Sequence, residues 1–226
     1  MAEIIQGILE DMVTDLIDFQ TREIFSASEV EDIIKTRRNL EYKLMRNNPQ
    51  KKHFYSAIQY ELELEELRQS KKDQLNLKNS SSDRSIVRRI LSLFKRFTRA
   101  YKHDVDVWKE YINFCIRSKA QRDLSQVMAR ALQLHSGNED MWIIGRYVEE
   151  KYRNDIESAR ALLQRAVEVN RLSRRLWVEY FKFEIEHCQD TNAPEIVFRY
   201  AVKEVPQVEG ELMEIAKSKN LDIKIT

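Results

Sequence analysis

The side chains that could do chemistry in this chain are few, and they are not arranged as catalytic or metal-binding sets. The four histidines are His53, His103, His135 and His187. None lies three or four residues from another histidine or a cysteine, which is the spacing that places two ligands on one helix face. His187 and Cys188 are adjacent, so they point to different faces of a helix. Glycine-rich phosphate loops, nucleophile elbows and His-Glu-x-x-His motifs are absent from the sequence. We therefore predict no catalytic site, cofactor, metal ion or small-molecule substrate.

A basic stripe is the clearest candidate binding feature. Residues 84–102 hold seven basic residues and no acidic residue. At about 100° per residue, five of the basic residues fall within about 60° of one another on a helix: Arg84, Arg88, Lys95, Arg99 and Lys102. Apolar residues cover the opposite side of that helix. The pattern is typical either of a solvated face or of a surface that contacts RNA phosphates or an acidic partner segment. Exposed aromatic residues are not interleaved with the bases, so stacking on single-stranded bases is not indicated.

The first 33 residues carry the opposite charge, with nine acidic residues and one base, Arg22. Apolar residues recur there in adjacent pairs four residues apart, from Ile4/Ile5 to Leu16/Ile17. This spacing predicts a helix with a broad apolar face. Such a helix is either buried in its own domain or also docks onto a partner. The charge asymmetry between the two segments is suited to guiding the order in which partners dock.

The composition indicates an all-helical protein. Of the 226 residues, 33% are charged and 42% are hydrophobic, while only four are glycine and three are proline. So few turn-forming residues argue against an all-β fold. Apolar runs fall far short of the ~18 residues that a membrane span needs, and the acidic start does not resemble a signal peptide. Two cysteines suit a reducing compartment.

A period of 34 or 35 residues runs through the second half of the chain. Trp108, Trp142 and Trp177 are spaced 34 and 35 residues apart, and an arginine precedes each tryptophan by the same interval. Two unrelated residue types with one period indicate duplicated units, and a period near 35 with helical patterning is typical of stacked helical hairpins. The alignment predicts a repeat core in which aromatic residues fill the hairpins and alanines allow close approach of two helices: Trp108, Tyr111, Phe114, Trp142, Trp177, Tyr180, Phe183, Ala131, Ala166 and Ala201.

The arginines of the repeat are Arg96, Arg130 and Arg165. They could form a phosphate-binding row, but their constant place in the repeat favours pairing inside the molecule with carboxylates such as Glu149 and Glu184.

The helical pattern divides the chain into three parts. Residues 1–69 are predicted to form an N-terminal helical segment, in which Ser26-x-x-Glu29 has the pattern of a helix capping box. Residues 70–82 are polar, lack an apolar period and are predicted to be a flexible linker. Residues 83–226 are predicted to form the repeat array.

The repeated pattern Trp-x-x-Tyr-x-x-Phe-Glu, as in Trp177 to Glu184, followed by a helix with Arg-Ala, resembles the half-a-tetratricopeptide (HAT) repeat. Phe54-x-x-Ala57-x-x-Tyr60-Glu61 is similar to a further, degenerate first helix. Gly145 and Cys115 depart from the pattern, so the middle units are expected to pack less regularly. The resemblance implies an α-solenoid that acts as a scaffold in an RNA-processing complex.

The opening Met-Ala-Glu-Ile-Ile-Gln, the segment Phe25–Lys43 and the segment Phe54–Leu64 resemble the U three small nucleolar RNA-associated protein 6 family. This resemblance implies a non-enzymatic nucleolar subunit of the UtpB subcomplex of the small-subunit processome, required for early pre-ribosomal RNA processing. The implied partners are other processome subunits, WD-repeat propeller proteins among them, with pre-ribosomal RNA and the U three ribonucleoprotein contacted indirectly or weakly. The repeat pattern fades near Leu212, so the chain is expected to be either a compact member or an incomplete one.

Two alternatives stay open. The chain could be a HAT-repeat scaffold of another machine, for messenger RNA cleavage and polyadenylation or for splicing. It could also bind RNA directly through the helix of residues 84–102.

Overall fold

The computed structural model of the chain describes residues 2–187 and 192–219. All regular structure in those two ranges is helical and neither contains a strand, which confirms the all-α prediction. The chain divides into two units, Met1–Lys119 and Ala120–Thr226. Within the described ranges, every helix is too short or too polar to cross a lipid bilayer.

The first unit contains five helices: α1 (Ala2–Thr21), α2 (Ala27–Leu44), α3 (Lys51–Gln74), α4 (Ser85–Ala100) and α5 (Val105–Arg117). Each packs against the next one in the chain. A 3₁₀ turn, Ser81–Arg84, leads into α4. The predicted capping box begins α2: the Oγ of Ser26 accepts a hydrogen bond from the Glu29 amide at 3.3 Å, and the Glu29 carboxylate accepts one from the Ser26 amide at 2.8 Å. The capping box is therefore confirmed, and it sets where α2 starts.

Helix α3 is longer than its sequence pattern indicated. It ends at Gln74, so the first five residues of the predicted linker, 70–74, belong to it. The helix continues because the ammonium of Lys71 reaches the Glu29 carboxylate at 2.6 Å, and Lys72 pairs with Asp83. These long-range partners cannot be read from local periodicity. Flexibility of the remaining segment stays a prediction.

The side chain of Asp83 connects the C-terminal end of that segment to α3 and to the residue that follows α1. Its carboxylate accepts hydrogen bonds from Arg22 at 2.8 Å and from the Ser80 amide at 3.0 Å, and it pairs with Lys72. Burial alone would raise the pKa of Asp83, but these donors hold it well below its usual range. Asp83 is the N3 residue of a capping box whose N-cap is Ser80, at the start of the 3₁₀ turn, and it does not cap α4 directly.

A buried network of charges joins α1 to α4 in the first unit. The carboxylates of Glu41 and Glu61 are 0% and 1% exposed. Arg37 binds both oxygens of Glu61, at 2.9 and 2.6 Å. Arg89 bridges the two carboxylates, at 2.6 Å to Glu61 and 3.0 Å to Glu41. The sulfur of Met12 accepts from the guanidinium groups of Arg37 and Arg89. Each buried charge therefore has an opposite partner, which is the condition for tolerating it.

Aromatic rings fill the space between α3, α4 and α5. The rings of Phe54 and Phe97 stack with centroids 4.7 Å apart and an interplanar angle of 3°. On the other side of α4, the ring of Phe94 stacks on Tyr111 at 5.4 Å and on Phe114 at 5.5 Å. A phenylalanine stands at position 97 where later repeats have a small alanine, and the stacked pair shows how this larger side chain is accommodated.

The second unit contains α6 (Gln121–Leu134), α7 (Glu139–Tyr147), α8 (Ile156–Val169), α9 (Arg174–His187), α10 (Ala193–Glu204) and α11 (Glu209–Ser218). A π-helical turn, Val148–Tyr152, extends α7, and a 3₁₀ turn, Pro206–Val208, precedes α11. Each of these helices packs on the next, and α9 also packs on α7 and α11. One apolar core runs from Trp142 to Ala216.

The three tryptophans occupy equivalent positions. Trp108, Trp142 and Trp177 are 4%, 5% and 5% exposed. Each indole N–H donates to the carbonyl six residues earlier: Lys102 at 3.0 Å, Ser136 at 2.8 Å and Arg171 at 2.8 Å. The indole therefore packs in the core while it anchors the loop before its helix. The spacing of the tryptophans in the sequence did not indicate this hydrogen bond.

Polar contacts in the second unit recur at nearly the repeat period. Ser173 donates to Glu139 at 2.5 Å, 34 positions away, and Arg175 pairs with Asp140 at 2.6 Å, 35 positions away. Asn170 donates to the Ser136 carbonyl at 2.9 Å, again across 34 positions. The loop before α7 and the start of that helix thus contact the loop before α9 and the start of α9.

The packing around position 145 explains why glycine stands there. A methyl group at this position would lie 3.2 Å from the Met128 Cε, 3.5 Å from a Leu162 methyl and 3.7 Å from a Leu132 methyl. Side chains from α6 and α8 therefore already occupy the space that an aromatic residue fills in the other repeats.

Because of the π turn, Glu150 and not Glu149 is the buried glutamate of the α7 segment. Glu150 is 3% exposed, and it binds Arg146, Lys151 at 2.5 Å and His187 at 3.2 Å. Burial alone would raise the pKa of Glu150, but hydrogen bonds from Lys151 and Arg146 outweigh it and lower the pKa to about 2. Glu149, the residue that the repeat pattern aligns with buried Glu184, is only half-buried and pairs with Arg153 at 2.7 Å.

Replacing Trp142 by alanine removes both the buried indole and its hydrogen bond. We expect Trp142→Ala to lower the free energy of unfolding by about 3–5 kcal/mol. Tyr147→Ala is the matched control, since Tyr147 lies on the same helix and is 53% exposed, and it should cost less than about 0.5 kcal/mol. Urea denaturation followed by circular dichroism measures both. Equal effects of the two substitutions would contradict the buried role of the indole.

Glu150 should make the free energy of unfolding depend on pH. Because its folded-state pKa is lowered from 4.5 to about 2, its stabilising contribution is complete above about pH 5 and is lost as the pH falls towards 2. Glu150→Gln should therefore be less stable than the parent chain at pH 7, and this difference should shrink as the pH is lowered. Thermal melts across that range test it. A difference that stays constant with pH would refute the assignment.

Candidate nucleic-acid interface

The basic helix α4 is amphipathic in the structure. Its buried face consists of Ile86, Ile90, Leu91, Leu93, Phe94, Phe97 and Thr98. The side chains predicted as the candidate RNA or partner contact are all exposed: Arg84, Arg88, Lys95, Arg99 and Lys102. Arg84 and Lys102 lie just outside the α-helix, which runs from Ser85 to Ala100.

The five bases differ in their surroundings. Arg84 donates to the carbonyl of Ser118 at 3.2 Å, and Arg88 approaches the Asp15 carboxylate at 3.4 Å. The side chains of Lys95 and Arg99 form no ion pair with any residue in the described ranges. Their charges are therefore available to an external anion.

The remaining two bases of this helix are turned inward. Arg89 pairs with Glu41 and Glu61, and Arg96 donates to Glu41 at 3.0 and 2.9 Å. Helical phase explains the division, because positions 89 and 96 lie on the side of α4 that faces the buried carboxylates. The stripe predicted from sequence left out both residues.

The repeat arginines do not pair with Glu149 or Glu184, the carboxylates named for them, although two of the three do pair with a carboxylate inside the molecule. Arg96 does pair inside the molecule, but with Glu41. Arg130 donates to Gln133 at 2.5 Å, and Arg165 pairs with Glu168 at 3.0 Å with its side chain 66% exposed. Arg130 and Arg165 each directly precede a buried alanine, and a step of about 100° turns them outward.

The arginines that do pair with glutamates of the repeat pattern lie at a different position, 24 residues before the glutamate. Arg37 pairs with Glu61, and Arg160 pairs with Glu184 at 2.8 Å; both pairs are separated by 24 residues. The equivalent position before Glu149 is Ser125, and Arg153 bridges these two side chains. In the helices that precede α6, the two positions with the same separation of 24 residues are Leu91 in α4 and Cys115 in α5. Both side chains are buried and apolar. A search of the sequence for Arg and Glu 24 residues apart could have found this pairing.

Helix α1 presents a mixed surface. Leu16 and Phe19 are buried, while Val13 and Ile17 are 40% and 55% exposed. The helix therefore contributes to the core and also keeps part of its apolar face in solvent. The side chains of Ile4, Ile5 and Leu9 lie outside what the structure describes.

Potential metal ligands converge in one place within the described ranges. Glu150, Glu186 and His187 offer atoms within 4.8 Å of one another. Arg146 and Lys151 already bind the oxygens of Glu150, so the cluster is accounted for as a network of ion pairs. Cys188, considered with His187 above, lies outside the described residues.

Comparison with known proteins points to one family. Residues 9–89 match the family model described as U3 small nucleolar RNA-associated protein 6. The Schizosaccharomyces pombe protein of that name is 35% identical over 189 residues, which cover 83% of this chain and 39% of the relative. The Homo sapiens homolog is 33% identical over 218 residues, or 95% of this chain and 36% of the relative. The Dictyostelium discoideum homolog is 26% identical over 164 residues, or 73% and 27%.

The fold is that of an all-α protein made of consecutive packed helices. The chain spans less than half the length of the curated relatives that it matches. It belongs to the U3 small nucleolar RNA-associated protein 6 family.

The two classes of base on α4 should differ sharply in their effect on stability. Arg89→Met removes a buried partner of two carboxylates, which keep Arg37 and Arg96, so we expect a loss of about 2–3 kcal/mol. Lys95→Met changes an exposed side chain on the same helix and should alter stability by less than about 0.5 kcal/mol. Urea denaturation of both variants measures the difference. A larger loss for Lys95→Met would mean that the assignment of the two faces is wrong.

Proposed function

We propose that this chain belongs to a non-enzymatic scaffold that acts with the U3 small nucleolar RNA in early pre-ribosomal RNA processing and assembly of the small ribosomal subunit. The observation that carries the proposal is 33–35% identity, over 83–95% of this chain, to relatives named for association with that RNA. The match covers 36–39% of those relatives, so their activity and partners are carried to this chain only as part of this proposal.

The scaffold role rests on a repeated helical module. We infer that α7 with α8, and α9 with α10, form successive HAT hairpins. The shared hydrogen bond of the indoles and the polar contacts near the repeat period support this inference. Modules of this kind offer a large surface for partner proteins and leave the chemistry to others.

The finer assignment is to the UtpB subcomplex of the small-subunit processome, in the nucleolus. The partners would be its other subunits, including WD-repeat propeller proteins, with pre-ribosomal RNA contacted indirectly or weakly. Recognition of helices or extended peptides by grooves between helices is the mode that this architecture supports.

Purification of the tagged full-length protein under native conditions tests the function. We expect it to sediment with large pre-ribosomal particles and to retain the U3 small nucleolar RNA. Depletion should cause unprocessed pre-ribosomal RNA to accumulate. Co-purification of polyadenylation factors or spliceosomal RNAs, without U3, would favour the scaffold of another RNA-processing machine.

A second candidate function is direct RNA binding by α4. The observation in its favour is the exposed stripe of five bases, in which Lys95 and Arg99 lack acidic partners among the described residues. Phosphate contacts would make the affinity fall steeply with salt concentration.

Charge reversal at Arg88, Lys95 and Arg99 tests RNA binding by α4. We expect the triple glutamate variant to bind RNA at least about tenfold more weakly, and the slope of log affinity against log salt to become shallower by about one for each phosphate interaction that the substitutions remove. Arg165→Glu is the control, because that side chain is also exposed but lies on α8. Unchanged RNA binding by the triple variant would mean that the stripe is only a solvated face.

A further inference from the structure

A groove runs along the outer side of α2 and α3 in the first unit. It consists of two adjoining cavities of about 250 and 520 Å³ that share Phe25 and Glu29 in their walls. Helix α3 lines the two cavities with Tyr60, Leu64, Leu67 and Lys71, and Leu75, which directly follows the helix, also lines one of them. These residues recur every three or four positions and so form one stripe, about 22 Å long at 1.5 Å per residue.

The floor of this groove is apolar and partly open to solvent. Phe25 and Ile33 are buried beneath it, while Leu67 and Leu75 are each 45% exposed. Leucines that remain half in water along a concave stripe are the usual anchor sites for a docked helix.

The rim of the groove is acidic. Glu23, Asp32 and Glu63 line it, and Glu29 lies where the two cavities meet. Lys71 is the single base among the lining residues, and the Glu29 carboxylate at 2.6 Å already neutralises it. The groove therefore has a net negative charge.

We propose that this groove binds an amphipathic helix of a partner protein, with apolar residues along one face and lysine or arginine on both flanks. The 22 Å stripe corresponds to about four turns of such a helix. The apolar face would cover Leu67 and Leu75, and the flanking bases would lie near Asp32 and Glu63. This inference deepens the proposed scaffold role and rests on it.

Other occupants fit the groove less well. Its acidic rim repels the phosphates of RNA. A second copy of this chain offers the basic stripe of α4, but the apolar face of that helix is already buried in its own unit. The basic segment is thus unable to supply the apolar stripe that the groove requires.

A displayed peptide library tests the proposal, since selection from such a library does not require the partner to be identified first. Helices of about 18 residues would carry leucine at the spacing of the α3 stripe, with lysine, glutamate, glutamine or alanine allowed at every other position. We expect selection on the full 226-residue chain to enrich binders with more lysine than glutamate on the flanks. Absence of binders, or enrichment of glutamate, would overturn the proposal.

Variants of the chain locate the site of binding. Leu67→Ser, and separately Asp32→Lys with Glu63→Lys, should weaken the selected peptide by at least about tenfold. Leu172→Ser is the matched control, because Leu172 is a leucine of the second unit that is 81% exposed, and it should leave the affinity unchanged. Thermal melts should show that all variants fold. Affinity that is insensitive to Leu67→Ser would place the peptide elsewhere and refute the groove.

Two further results keep the alternatives apart. Light scattering that shows a dimer abolished by Leu67→Ser would assign the groove to a second copy and overturn the choice of occupant. Loss of peptide binding with U3 association intact would separate failure of this inference from failure of the proposed function.

Discussion

Buried pairing of glutamate with arginine is the interaction on which the first unit depends. Glu41 and Glu61 are enclosed by helices that also bury many apolar side chains, and three guanidinium groups from α2 and α4 neutralise them. Such a network adds little net stability compared with an apolar core, but removal of one member leaves a buried charge without its partner. Our hypothesis is that it specifies register, since α2, α3 and α4 can satisfy both carboxylates in few arrangements.

The same pairing, at the same separation of 24 residues, recurs in the second unit as Arg160 and Glu184. Where the arginine is absent, the glutamate is either replaced as well or receives another arginine. Leu91 with Cys115 replaces the charged pair by two apolar residues, and Ser125 is compensated by Arg153, which reaches both the serine and Glu149. Both arrangements avoid the cost of an unpaired buried charge.

Sequence reasoning succeeded where a local period determines the outcome. The helical character, the capping box at Ser26 and the exposed stripe of α4 all follow from the spacing of residue types within one helix. It failed where the outcome depends on a distant side chain. The partner of Arg96 is Glu41, 55 positions away, and α3 extends to Gln74 with help from Glu29 and Asp83. Such contacts require the fold before they can be recognised.

The π turn at Val148–Tyr152 bears on how the repeats tolerate changes in length. The interval between tryptophans grows from 34 to 35 residues in the repeat that contains this turn, and the extra position lies between Trp142 and the start of α8. A π-helical turn contains about one residue more than an α-helical turn, so it accommodates an additional residue without a longer loop. The additional residue is accommodated inside the α7 segment, while the loop that leads to Trp177 keeps the length of the loop that leads to Trp142.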